Sequence, residues 1–336
     1  MSIEPRHQPA ARTTNGHSTA SRVGLALGIT AAALAGLAVA NTLAARAAER
    51  RNPPNGRFVT VDGVRLHYLE DGVGPPVVLI HGNVSTAEDF RVSGLFQRLR
   101  RRHRVIAIDR PGFGHSERPR GSLWTPAEQA TLLRHAFDAL GIERPVVVGH
   151  SFGATVAVAM ALDHPETVGG IVLLAGYYFP TARIDAALAA PPAIPLLGDV
   201  LRHTLSPPLG AAAMPLLVKG MFAPLPVPDG FSDRFPVSLA VRPGQIRASA
   251  EDGVTMVPAA RAMRDRYGEL RMPVAILTGT EDRVVGPDEQ SGGLHAAIPH
   301  STLHRVPGAG HMVHYADPDL VVRAIDRVAA QTRAEA

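Results

Sequence analysis

The sequence predicts an α/β protein built on a mostly parallel sheet that opens with an antiparallel hairpin. Three observations predict it. Short runs of β-branched and apolar residues recur along the chain, each too short to be a helix. Longer stretches with helical spacing separate them, the alternation that parallel strands need for their crossovers. Several of the runs end in loops that carry glycine beside serine, aspartate or histidine, on the edge of an open sheet where ligands bind.

The elements follow in order. Residues 1–22 are polar and poor in large apolar side chains, which predicts a disordered lead. Val23 to Ala45 then holds 23 residues without a charge, bounded by Arg22 and Arg46. At about 1.5 Å per residue this run can span a bilayer core of about 30 Å. Residues 23–46 therefore read as a single membrane anchor, in a bacterial inner membrane. Ala38-Val39-Ala40 resembles an A-x-A cleavage site, so a cleaved signal peptide with a secreted or periplasmic domain is the alternative. A soluble helix is a third reading. Arg6, Arg12 and Arg22 balance Arg46, Arg50, Arg51 and Arg57 across the run, so charge sets no orientation. Residues 47–57, with Asn52-Pro53-Pro54-Asn55-Gly56, read as a stiff linker.

Phe58–Val61 and Arg65–Glu70 flank Asp62-Gly63, a hairpin signal. Val77–Ile80 and Val105–Ile108 are continuous apolar strands. Thr125, with Pro126 at the first helical position, opens a helix that runs to Leu140. Val146–Val148 leads into a small, apolar helix over Ala154–Leu162, and Ile171–Leu174 follows as a strand. Between Gly176 and Met272 the alternation stops. Prolines at 191, 192, 207, 208, 224, 226 and 228 interrupt a run rich in Leu, Ala, Met and Phe, which predicts short helices broken by proline. Residues 177–271 are therefore expected to form a helical cap, or lid, over the carboxyl end of the sheet; an insert that merely packs on the sheet edge is the alternative. Residues 58–176 and 272–332 form the core, which closes with the strands Val274–Leu277 and Leu303–Val306, a helical stretch near Asp288–Ile298 between them, and an amphipathic helix over Pro318–Ala330.

Composition bounds the function. Hydrophobic residues make up 46% of the 336 and charged residues 19%, the balance of a globular protein with a sizeable core. The net charge is only +4 and the basic residues are scattered, which gives nucleic-acid binding no support. With no cysteine, disulfides, zinc–thiolate sites and cysteine nucleophiles are excluded.

Chemistry concentrates in one pentapeptide. Gly149-His150-Ser151-Phe152-Gly153 places a serine between an apolar strand and a helix, in a G-x-S-x-G pattern. The flanking glycines let neighbouring backbone approach without a Cβ clash. Such a turn lifts the hydroxyl above the sheet and aims a helix N-terminus at it. A serine needs a base, and in this strand–turn–helix setting the acid and then the histidine follow it along the chain. Thr278-Gly279-Thr280-Glu281-Asp282 follows one late strand and Gly308-Ala309-Gly310-His311 the next. His311 is the candidate base and Asp282, favoured over Glu281, the acid that would orient it. His314 would lie about a helical turn on and line the site. The backbone N–H groups of Phe152 and of Asn83, after His81-Gly82, are the candidate oxyanion donors, each worth about 3–4 kcal/mol of barrier. His81 and His150 beside them, and Met221, Phe222, Leu225 and Val227 in the insert, are candidate substrate-binding residues. His311-Met312-Val313-His314 has the spacing of two metal ligands but no acidic companion motif, and no cofactor or metal is implied.

His81-Gly82-Asn83, Asp109-Arg110-Pro111-Gly112-Phe113-Gly114-His115-Ser116, the Ser151 pentapeptide, Gly279-Thr280-Glu281-Asp282 and Gly308-Ala309-Gly310-His311 together resemble the α/β-hydrolase superfamily over about residues 57–330. The resemblance implies an eight-stranded sheet, helices on both faces, and a cap between strands six and seven. It also implies a serine esterase- or lipase-like enzyme with a Ser151–His311–Asp282 triad, acting on a small-molecule substrate, an apolar ester. Epoxide hydrolases and haloalkane dehalogenases of that superfamily carry aspartate at the elbow, and Ser151 departs from them. C–C bond hydrolysis or perhydrolysis on the same triad, and a non-catalytic ligand sensor, are the rival readings.

Overall fold

The computed structural model describes residues 16–334. Eight strands form one sheet: β1 (Arg57–Val61), β2 (Val64–Asp71), β3 (Pro76–Ile80), β4 (Arg104–Ile108), β5 (Val146–His150), β6 (Gly170–Leu174), β7 (Val274–Gly279) and β8 (Thr302–Val306). Their order is β1-β2-β4-β3-β5-β6-β7-β8. β1 and β2 pair antiparallel, as do β2 and β4, and every other pair is parallel. The hairpin turn is the Asp62-Gly63 pair, both residues at positive φ (50° and 73°), which fits the twist of the flanking strands. β5 and β6 are buried along their whole length, which is why they read as unbroken apolar runs.

Helices cover both faces. α1 spans Gly16–Arg51, α2 Pro126–Leu140 and α3 Phe152–Asp163. α2 starts where the sequence indicates: the Thr125 side chain accepts from the Glu128 amide while the Glu128 carboxylate accepts from the Thr125 amide, a complete capping box. α3 is small and apolar all round and is buried from Phe152 to Leu162. The closing helix runs Pro318–Ala334.

Between β6 and β7 the chain forms helices joined by loops, with α4 (Ile184–Ala189), α5 (Leu197–His203), α6 (Ser206–Phe222) and α7 (Pro243–Met263) as its main elements. The expectation of short, proline-broken helices fits α4 and α5, of six and seven residues, and is corrected for α6 and α7. α6 runs for 17 residues through Pro215 and α7 for 21 through Pro258. Each proline frees the carbonyl four residues earlier, at Ala211 and Val254, and both of those residues are exposed, so neither carbonyl is stranded in a core. Pro207, Pro208 and Pro243 sit in first turns, where no intrahelical N–H is lost.

The N-terminal boundaries also shift. The predicted disordered lead lies outside the described residues up to residue 15, but Gly16 to Arg22 are already helical. The predicted linker starts late, because α1 continues through Arg51. Among the described residues α1 is the one helix long and apolar enough to cross a membrane, over Ser21–Arg51.

Candidate active site

The loops at the carboxyl ends of β3, β5, β7 and β8 converge. Ser151 sits at the sharp turn between β5 and α3 with φ 54° and ψ −120°, a backbone state that costs a non-glycine residue about 1–3 kcal/mol. The surroundings hold it there. The Ser151 amide donates to the Leu174 carbonyl at 2.9 Å, and its own carbonyl accepts from Ala154 at 3.0 Å. The two glycines of the pentapeptide are required by space. A Cβ on Gly153 would stand 2.2 Å from the Ile80 carbonyl oxygen, and one on Gly149 would stand 2.4 Å from that of Gly153.

The β3 loop lies directly against the serine, since a Cβ on Gly82 would come within 3.0 Å of Ser151 Cβ. Arg110 fixes this loop. Fully buried, it donates from Nε to the His81 carbonyl at 2.8 Å and from Nη2 to the Gly82 carbonyl at 3.0 Å. With those carbonyls held on one side, the following amide is free on the other. Neither the Asn83 nor the Phe152 amide has a protein acceptor among the described residues. The Asn83 side chain is otherwise engaged: its Nδ2 donates to the Ser249 carbonyl of α7 at 3.0 Å, and its Oδ1 accepts from the Val84 amide at 2.8 Å.

Asp282 and His311 meet. Asp282 Oδ2 accepts from His311 Nδ1 at 2.8 Å, and Oδ1 accepts the Val284 and Val285 amides at 2.8 and 3.0 Å. Both side chains are buried, whereas Glu281 is exposed. The ring of His311 lies 4.9 Å from that of His150, the residue before Ser151. Its Nε2 makes no hydrogen bond to a described residue.

Two predicted substrate-lining histidines are corrected. His81 is fully enclosed; its Nδ1–H donates to the Gly82 carbonyl at 2.8 Å and its Nε2 accepts the Arg110 amide at 2.9 Å. With both nitrogens committed to backbone it braces the loop and cannot face a ligand. Burial, helped by the Arg110 charge, lowers its pKa to about 4, so it stays neutral. His150 is buried between the His311 and His314 rings and donates from Nε2 to the His311 carbonyl at 3.2 Å. Burial, then the neighbouring His314 and His311, holds its pKa well below the usual histidine range. It positions the His311 loop.

Of the four insert residues, one is buried, two are half-buried and one is exposed. Phe222 is buried in an apolar cluster with Phe231, Phe235 and Met312, on which Met221 and Val227 pack, and Leu225 points outward. This cluster seats the insert on the His311 loop. The Ala223 carbonyl there leaves no room for a Cβ on Gly310, which would stand 2.0 Å away.

A second carboxylate–histidine pair was not legible in the motifs. Asp89, on the short helix Glu88–Val92, accepts from His314 Nε2 at 2.9 Å and from the Tyr315 hydroxyl at 2.8 Å, and all three are well enclosed. Ligand atoms of Asp89, His150 and His314 lie within 4.8 Å of one another, the described group that comes nearest to a metal-binding set. The acidic companion missing from the sequence near His314 thus arrives from 225 residues away. Tyr315 and His314 already satisfy its two oxygens.

A strained serine elbow, a buried Asp–His pair and two amides without an acceptor among the described residues thus lie together at the carboxyl end of the sheet. A family model described as alpha/beta hydrolase fold matches residues 75–318. The chain belongs to that family. This alpha/beta hydrolase is 29% identical to haloalkane dehalogenase 2 of Mycobacterium tuberculosis over 286 residues, covering 81% of this chain and 94% of the relative. It is 29% identical to a 2-hydroxymuconate semialdehyde hydrolase of Pseudomonas putida, covering 85% and 98%. Among solved structures, a membrane phospholipase A described as a bacterial virulence factor matches with a TM-score of 0.62 at 21% identity, covering 94% of this chain and 99% of that one, a likeness of fold. Family and relatives support hydrolase activity acting on a small molecule.

Proposed function

We propose that this alpha/beta hydrolase is a serine esterase that cleaves a lipophilic carboxylic ester through an acyl-enzyme, with α1 as its membrane anchor and the insert over the site as its lid. One observation carries the reading: the buried Asp282–His311 hydrogen bond beside the strained Ser151 elbow. Ser151 Oγ attacks the ester carbonyl while His311 Nε2 takes its proton. Asp282 keeps the Nδ1–H tautomer and stabilises the imidazolium. The oxyanion of the tetrahedral intermediate accepts from the Asn83 and Phe152 amides. His311 returns the proton to the departing alcohol, and water then repeats the sequence on the acyl-serine.

Ser151 supports this reading over dehalogenation, which in the resembled superfamily uses an aspartate at the elbow. The 29% identity to a 2-hydroxymuconate semialdehyde hydrolase favours C–C bond hydrolysis on the same three residues as the second reading. The test is hydrolysis of p-nitrophenyl esters from acetate to palmitate by the full chain in detergent, beside Ser151→Ala. Turnover lost in the variant is the expected result, with the chain-length optimum sizing the acyl site. A folded protein inactive on every ester but active on vinylogous diketones would overturn the esterase reading in favour of C–C cleavage.

A further inference from the structure

The exposed apolar side chains are unevenly spread. Of the twenty large ones that stand exposed among the described residues, six belong to α1 and eleven lie between Ile184 and Leu225 in the insert. The two sheet-bearing segments contribute only Val73 and Leu123. On the insert the most exposed are Leu196 (81%), Leu188 (78%), Leu216 (75%), Ile184 (73%) and Leu209 (66%). Four charged residues, Asp185, Asp199, Arg202 and Lys219, interrupt the 44 residues from Ile184 to Val227. A soluble surface of this size would ordinarily carry far more charge, and a concentrated apolar face marks an interaction site.

The anchor helix says what that face meets. Val23 to Ala33 are exposed all round α1. From Leu34 on, one face turns inward at Leu34, Leu37, Ala38, Asn41, Thr42, Ala45 and Ala48, the three-to-four spacing of a helix packed along one side. What it packs on is the insert: α1 touches α5, α7 and the short helix Val237–Ala240. Asn41 Nδ2 donates to the carbonyls of His203 and Thr204 at 3.0 and 2.6 Å, at the carboxyl end of α5. Arg242 and Glu49 pair at 2.9 Å further along.

Length then sets the depth. The eleven free residues Val23–Ala33 span about 16 Å at 1.5 Å per residue, roughly half of a bilayer core of about 30 Å. The remaining half of any span is the stretch that lies against the insert. A helix that crosses the membrane with Val23–Ala45 must carry α5 and its neighbours to the membrane with it. Asn41, costly in hydrocarbon when unpaired, has its partners supplied by the insert.

We propose that the exposed face of α4, α5 and α6 lies in the lipid bilayer's near leaflet alongside α1, so that the membrane holds this protein by its anchor and by its insert together. The occupant is lipid. The proposal rests on α1 being a span and is independent of which bond the site cleaves. Because the insert covers the carboxyl end of the sheet, the site then faces the membrane, and a lipophilic substrate reaches it without crossing water.

The absence of cysteine allows a direct test. Single cysteines replace Leu188, Leu196 or Leu216 on the insert, Ala33 on α1, and Arg101 at the amino end of β4, each exposed in the fold. The full chain carries an environment-sensitive fluorophore at one site and is reconstituted in nanodiscs with doxyl-labelled phosphatidylcholine, folding being checked by circular dichroism. Quenching several-fold stronger at 188, 196 and 216 than at 101, and close to that at 33, is the expected result. Strong quenching at 33 with aqueous insert labels would overturn the proposal while leaving the anchor. An aqueous label at 33 would remove the anchor reading and the proposal with it. Insert labels shielded from water, coupled to one another and unquenched by lipid would overturn it in favour of a second copy of the chain.

Discussion

Asp282 and Glu281 are neighbours of the same chemistry, and burial separates their surroundings. Asp282 has one oxygen filled by two backbone amides and the other by His311, while Glu281 is exposed. Asp282→Asn keeps an oxygen for the Val284 and Val285 amides but turns an NH2 toward His311 Nδ1, forcing the wrong tautomer. The expected outcome is a fall in kcat on a p-nitrophenyl ester of about 10³–10⁴-fold with a melting temperature near that of the wild type. Glu281→Gln should leave both unchanged, and a large effect there would reverse the assignment. The Asp282–His311 pairing was legible because the two residues follow successive strands, aspartate before histidine. His81 was misread because a motif shows that a histidine is present, not which of its nitrogens are taken, and His150 because the motif does not show that its ring is enclosed. Asp89 carries no local signal at all; only tertiary packing brings it to His314.

At the level of elements, one buried carboxylate clamps α7 to the sheet's loops, beside the Asn83–Ser249 bond and the Phe222 cluster. Asp252 of α7 accepts from Arg110 Nη1 at 2.6 Å, Arg118 Nη1 at 3.1 Å and Gln129 Nε2 at 3.1 Å, with both arginines buried. Arg110 is the residue that holds the His81 and Gly82 carbonyls, so the clamp joins the insert to the loop beside Ser151. Asp252→Ala leaves two buried cations without their counter-charge, and Glu251 on Arg118 compensates only in part. A loss of about 3–5 kcal/mol is expected, read as a fall in melting temperature. A loss below about 1 kcal/mol would mean that the pair contributes no more than a surface ion pair. The strands were legible because two-sided burial writes an unbroken apolar run. The insert was legible only as helical, because its prolines read as breaks unless one knows that the carbonyls they free belong to exposed residues.

For the whole molecule, the sheet, its hairpin and the apolar N-terminal run could be read from the chain, but the docking of α1 on the insert could not: Leu34, Leu37 and Asn41 look like any other residues of an apolar helix. The same enclosure that hides these packings makes stability depend on pH. His81 is neutral in the fold with a pKa of about 4, against about 6.5 when unfolded, and His150 is shifted in the same direction. Above pH 6.5 neither state is protonated and the full stability is present. As pH falls from 6.5 toward 4 the unfolded chain binds protons that the native ring refuses, so stability is lost across that window, by about 3 kcal/mol for His81 alone. Asp109, held below the usual carboxylate range by His67 and backbone amides against its burial, extends the loss below pH 4. His81→Asn retains one donor and one acceptor for Gly82 and Arg110 but no proton to gain. It should be less stable than wild type at pH 7 and yet lose less between pH 7 and 4.5, the difference being visible in melting curves across that range. Parallel curves for the two proteins would mean that His81 takes up its proton in the native state, and that the buried brace beneath the Ser151 loop is not neutral.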